Sequence, residues 1–222
     1  MQVYFSIPFA GMRVKWLIIY NSLMDNSVAL NHLRQDKILE TIIDKYQVSS
    51  PSISANLFRD LMEAIVSQQL SNKAAATIFG RFLALFPNNT IPKPDDILKL
   101  SEEVLRSCGL SHQKSSYLKS LSQEIISDQL VLENLHLLPD EDVITALTKV
   151  KGIGRWTAEM FLIFSLGRLD TFSVGDLGLR TAVSKLYEVD REDKNKIEEI
   201  SKQWSPYRSL ASLYLWKSLE NS

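Results

Sequence analysis

"VKGIGRWTAEMF", Val150–Phe161, decides how this chain is read. Gly152 and Gly154 bracket Ile153, Arg155 follows, and an almost unbroken apolar run begins at Trp156. Upstream, in "EDVITALTKV", Val143, Ile144 and Leu147 recur at helical spacing behind Asp140 as N-cap. One helix therefore ends near Lys149 or Val150, and a second starts at Arg155. Between them the glycines can take positive φ and leave amides uncovered by side chains. The amides and dipole at a helix N-terminus favour an anion, and Lys149, Lys151 and Arg155 surround that point. Such a turn suits a phosphate backbone and carries no base information. An ordinary αα-hairpin with a glycine turn has the same residues, and spacing alone does not separate the two.

Outward from this hairpin, helical periodicity dominates from residue 29 onward. "LFRDLMEAIVSQQL" sets Leu57, Leu61 and Ile65 on one face, with Phe58 and Met62 beside them. Behind Ser71 as N-cap, Ala75, Ile78, Phe79, Phe82, Leu83 and Phe86 step by three and four. "SEEVLRSCGL" starts at Ser101 and stops at Gly109, and "SHQKSSYLKSLSQEIISDQ" continues as another helix. Ser205 and Pro206 sit where an N-cap and a first-turn proline would open "YRSLASLYLWKSLE". Residues 87–96 and 135–140 read as loops. The expectation is an all-α protein.

Composition narrows the function classes. The 222 residues suffice for one domain or two small lobes with a substantial core. The net charge of −1 gives no global field for a polyanion, so nucleic-acid binding has to come from local basic clusters and backbone amides. Cys108 is the one cysteine, which excludes an internal disulfide and any site built on several thiolates and favours an intracellular protein. In "VYFSIPFAGMRVKWLIIY" Arg13 and Lys15 interrupt the apolar run. That leaves no uncharged span of about 18 to 20 residues for a membrane helix. Residues 1–28 read as an N-terminal extension: either a packing segment or an upstream start, with Met24 as the true initiator. The domain itself spans 29–222, with its hairpin at about 141–165. His32, His112 and His136 show no metal-ligand spacing, and neither a catalytic metal nor a cofactor is expected.

Four stretches, in order, resemble the helix-hairpin-helix DNA glycosylase superfamily, and its alkylation-repair branch of the 3-methyladenine DNA glycosylase II type. They are "AIVSQQLSNKAAATI" at 64–78, "LTKVKGIGRWTAEM" at 147–160, "TFSVGDLGLRTAV" at 171–183 and "WSPYRSLASLYLW" at 204–216. The resemblance covers roughly residues 29–220. It implies a two-lobed helical domain with its active site in the cleft between the lobes, and a monomer acting on damaged bases in double-stranded DNA, without membrane partners. The setting would be the cytoplasm or nucleoid, or the nucleus in a eukaryote.

The resemblance also assigns roles. Asp176 aligns with the catalytic aspartate, where an anion suits the oxocarbenium-like transition state of glycosidic cleavage. Its place after Gly175, at or just before a helix N-terminus, equally suits a plain N-cap. Trp156 stands where relatives that nick the strand carry an imine-forming lysine, so a monofunctional enzyme is implied. Trp156, Met160 and Trp216 would wall the pocket for a flipped base. From the residues alone, Trp156, Met160 and Ile163 also fit a core stripe. Lys151, Gly152, Gly154 and Arg155 would contact DNA, with Gln69 as the wedge and Leu70 adjacent. The carbonyls of Thr148, Val150 and Ile153 would be the place for a monovalent cation. Glu159, the one charge inside an apolar helix, is expected to pair with Arg208 or Arg180. Alkylated purines are the expected substrate. Other lesions (hypoxanthine, uracil, ethenoadenine), a non-catalytic DNA-binding hairpin and a helical interaction module are the alternatives.

Overall fold

The computed structural model describes residues 27–220. The apolar N-terminal stretch and the choice between Met1 and Met24 lie outside the described residues. Residues 27–33 are helical (α1), followed by α2 Lys37–Lys45, α3 Leu57–Ser67, α4 Asn72–Leu83, α5 Pro94–Lys99, α6 Glu102–Ser107 and α7 His112–Ile126. Then come α8 Asp140–Thr148, α9 Arg155–Phe164, α10 Leu177–Tyr187, α11 Lys194–Ser201 and α12 Arg208–Leu219. Among the described residues the sole bridge between extended segments pairs Ile53 with Leu166, so the described part of the chain is all-α as expected.

The described residues divide into two compact units: residues 51–175, and residues 27–50 together with 176–220. The first unit holds α3 to α9. In α3, Phe58, Leu61, Met62, Ile65 and Val66 are all buried, the three- and four-residue steps of one apolar face. They join Phe79, Phe82, Leu118, Leu121, Val143, Leu147 and Leu162 in one core. Each such side chain contributes about 1.5–3 kcal/mol of burial. The starts of the helices follow from capping: Asn56, Ser71, Ser101 and Ser111 each accept from the backbone N–H three residues on.

In the second unit α12 packs against both α2 and α10. Asp36 caps α2, accepting from Ile38 N at 2.9 Å and Leu39 N at 3.2 Å, while its other oxygen accepts from Trp204 Nε1 at 2.8 Å and from the Tyr187 hydroxyl. Burial, then the adjacent Asp36 carboxylate, raises the Tyr187 phenol well above its ordinary pKa.

Three local expectations are corrected. Pro139, not Asp140, occupies the N-cap of α8; Asp140 is its first residue, and its carboxylate pairs with Arg168 at 3.3 Å. The helix placed after Ser205–Pro206 starts only at Arg208, with Tyr207 at its N-cap. The supposed loop at 87–96 already contains the start of α5. Pro94 occupies its first turn, where a missing N–H costs nothing, and Lys93 N donates to Asp96 at 3.1 Å.

Candidate functional site

α8 ends at Thr148 and α9 opens at Arg155, so the expected hairpin is present. Val150 and Ile153 are buried and anchor the turn, and Ile153 N donates to Val150 O at 3.1 Å. Gly152 has φ +90°, and a Cβ there would lie 2.1 Å from Tyr117 Cδ2. Only glycine fits. Gly154 is the N-cap of α9 and supplies no side chain, which leaves the first turn's amides to other acceptors. Lys149 and Lys151 are exposed beside it. The guanidinium of Arg155 is held by Glu141 and, through Nε at 2.9 Å, by Glu159. That contact keeps the Glu141 carboxyl below its ordinary pKa. Of the carbonyls named for a cation, that of Val150 accepts the Ile153 amide.

Glu159 is therefore paired within its own unit, with Arg155 one helical turn away and with the buried Ser173 hydroxyl. Neither Arg208 nor Arg180 was needed, because an i,i+4 partner was already present. On α9 the core stripe consists of Thr157, Ala158, Phe161, Leu162 and Ile163; Trp156, 48% exposed, lies outside it. Met160 is half-buried and lines an open concavity of about 460 Å³ with Thr157, Phe164, Asp60 and Glu63.

Asp176 caps α10 and is 9% exposed. Its Oδ1 accepts from Leu179 N at 2.8 Å and from Trp216 Nε1 at 2.9 Å. The carboxylate is thus oriented by a helix end and an indole together. Trp216, read from sequence as a pocket wall, holds this carboxylate. Gly178 leaves room for the contact, since a Cβ there would sit 3.0 Å from Asp176 Oδ1 and 3.1 Å from Trp216 Cδ1 and Nε1, close enough to push both aside by a few tenths of an ångström. Sequence reasoning missed Gly178; the signal was a glycine inside the first turn of a helix that had no need of one.

The loop after α3 presents Gln69, which is exposed with φ +58°, while Leu70 is half-buried. Gln68 turns the other way, its Nε2 donating to Gly152 O at 2.9 Å. Lys114 Nζ donates to Val66 O and Gln68 O, both at 2.8 Å, and burial lowers its pKa. Among the described residues no group of histidine, cysteine and acidic side chains could hold a metal ion, and no helix is long and apolar enough to cross a membrane.

Residues 62–206 match the family described as HhH-GPD superfamily base excision DNA repair protein. DNA-3-methyladenine glycosylase 1 of Schizosaccharomyces pombe is 35% identical over 203 residues, 90% of this chain and 89% of that protein. The crystal structure of a DNA-3-methyladenine glycosidase from Bacillus halodurans superposes with a TM-score of 0.75 at 40% identity, covering 84% of this chain and 86% of that one. The S. pombe 3-methyladenine DNA glycosylase in complex with abasic DNA gives 0.76 at 35% identity, covering 86% of this chain and 96% of that one.

Proposed function

The chain belongs to the HhH-GPD superfamily of base excision DNA repair proteins, and from that membership we propose that it hydrolyses the N-glycosidic bond of alkylated purines in duplex DNA. The observation that carries the reading is the Asp176 carboxylate, fixed by Leu179 N and Trp216 Nε1 at the start of α10. As the C1′–N bond breaks, its electron pair leaves with the base and positive charge gathers on the sugar. A carboxylate already oriented needs no rearrangement to oppose that charge. Water then adds at C1′ and gives up a proton, leaving an abasic site and the free base.

Cationic bases such as 3-methyladenine or 7-methylguanine depart as neutral molecules and need no general acid. Aromatic faces at Trp156 and Trp216 favour them further, by about 0.5–2 kcal/mol each. Trp156 carries no amine, so no imine forms and the strand is not nicked. Gln69 fills the gap left by the extruded base, with Leu70 adjacent, and the hairpin at Lys151, Gly152 and Gly154 holds a phosphate. Arg155 contributes its backbone amide there while its guanidinium stays with Glu141 and Glu159. The carbonyls of Thr148, Val150 and Ile153 offer a monovalent cation a seat at the same turn. The protein acts as a monomer inside the cell, a state that light scattering with and without DNA checks.

The deciding experiment is base-release profiling on methylated DNA with wild type and Asp176→Asn. Release of 3-methyladenine by the wild type and not by the variant is expected, with no borohydride-trapped adduct. A preference for uracil, or a covalent trap, breaks the substrate or the monofunctional assignment respectively.

A further inference from the structure

We propose that one edge of α7 is a brace that fixes the spacing between the wedge loop and the phosphate-holding hairpin, and that Lys114 is its principal positioning residue. The inference rests on the reading of Gln69 as a wedge. Lys114, Tyr117 and Ser120 follow one another at three-residue steps, on one side of α7. Each meets a different part of the two loops. Lys114 Nζ closes the C-terminal end of α3 by binding Val66 O and Gln68 O at 2.8 Å. The ring of Tyr117 lies directly under Gly152, in the space a side chain there would need. Ser120 Oγ accepts from Lys151 N at 3.2 Å. A fourth link joins the loops themselves, Gln68 Nε2 to Gly152 O at 2.9 Å.

The physical reason for such a brace lies in the work the wedge does. Extruding a base from a well-stacked duplex costs a few kcal/mol, and a side chain on a compliant loop would yield rather than displace it. Gln69 sits in the left-handed region at φ +58°, a backbone state that persists only where its surroundings impose it. The ammonium of Lys114 imposes it one residue away. It also lies at the negative end of the α3 dipole, where a cation is favoured. Phosphates held at the hairpin then become the fixed point against which the wedge pushes. Lys114 would act through Gln69, without touching the base or the sugar.

Lys114→Met keeps the length and removes the ammonium, so single-turnover excision by this variant is compared on 7-methylguanine in a paired and in a mismatched site. We expect a loss of about tenfold on the paired duplex and under about threefold on the mismatch, since flipping is cheaper there. Lys114→Arg should restore most of it, and the salt slope of general DNA binding should stay unchanged. Gln68→Ala, a milder cut in the half-buried loop, should shift the same ratio and serves if Lys114→Met folds poorly. Equal loss on both duplexes, or none, overturns the brace, as does a shallower salt slope, which would make Lys114 a phosphate contact. Gln69→Ala run alongside separates the two readings. If it discriminates between duplexes and the brace variants do not, only the brace fails; if it does not discriminate, the wedge falls and the brace with it.

Discussion

α9 and α10 begin in opposite ways. Both carry the same partial positive charge at their first turn. At α9 the cap is Gly154, which brings no side chain; at α10 it is Asp176, whose Oδ1 takes the Leu179 amide. One helix end lacks a capping side chain, and the other is given an anion of its own. The lesson is that a helix N-terminus is neutral as to purpose. The residue at the cap decides whether the end keeps its amides for another acceptor or orients a side chain of its own.

The largest effect expected from breaking this contrast is at Asp176. Asn still caps a helix and still presents an oxygen to the indole. Asp176→Asn should therefore keep fold and DNA binding while base release in single-turnover assays falls by about 10² or more. Near-wild-type release would reduce Asp176 to a cap. The second test makes the two ends alike. Gly154 has φ −91° and ψ 172°, and a Cβ there meets nothing within 4 Å, so Gly154→Asp fits without strain. It should raise stability by a few tenths of a kcal/mol and lower affinity for every duplex by roughly tenfold. Unchanged affinity in a fluorescence-anisotropy titration would mean that the α9 amides do not hold phosphate.

Gly178→Ala sharpens the contrast from the other side, because its methyl presses on Oδ1 and on the indole. A shift of a few tenths of an ångström should cost about fivefold in excision, with binding intact. A wild-type rate would show that the indole contact is not needed to aim the carboxylate. The smallest effect is expected for Lys151→Ala: about threefold in affinity, the same on all sequences, with the salt slope reduced by about one. A changed lesion preference at constant affinity would place Lys151 in base selection instead.

Much of this was legible in the sequence because capping and periodicity are local. Ser71, Asp176 and the α8 core face were readable from their neighbours alone. The misread elements are those where two local rules compete. Pro94 and Asp96 look like loop residues until they are recognised as the first turn of α5, and Asp140 looks like a cap until Pro139 takes the position. The partnership of Trp216 with Asp176 could not be read at all. Forty residues separate them, and no pattern along the chain announces an indole N–H aimed at a carboxylate. Glu159 shows the opposite error, since its partner Arg155 stood four residues away while distant arginines drew attention.

The seat of Gly152 on the ring of Tyr117 also constrains the order in which this chain can change. With 2.1 Å between a would-be Cβ and the ring, no other residue is accepted at 152 while the tyrosine stays, and φ +90° penalises newcomers even after it goes. Substitutions at 117 must therefore come first. In a saturation-mutagenesis library, survivors altered at 152 should be found only in backgrounds already trimmed at 117, a one-way ratchet between a helix face and a turn 35 positions further along the chain.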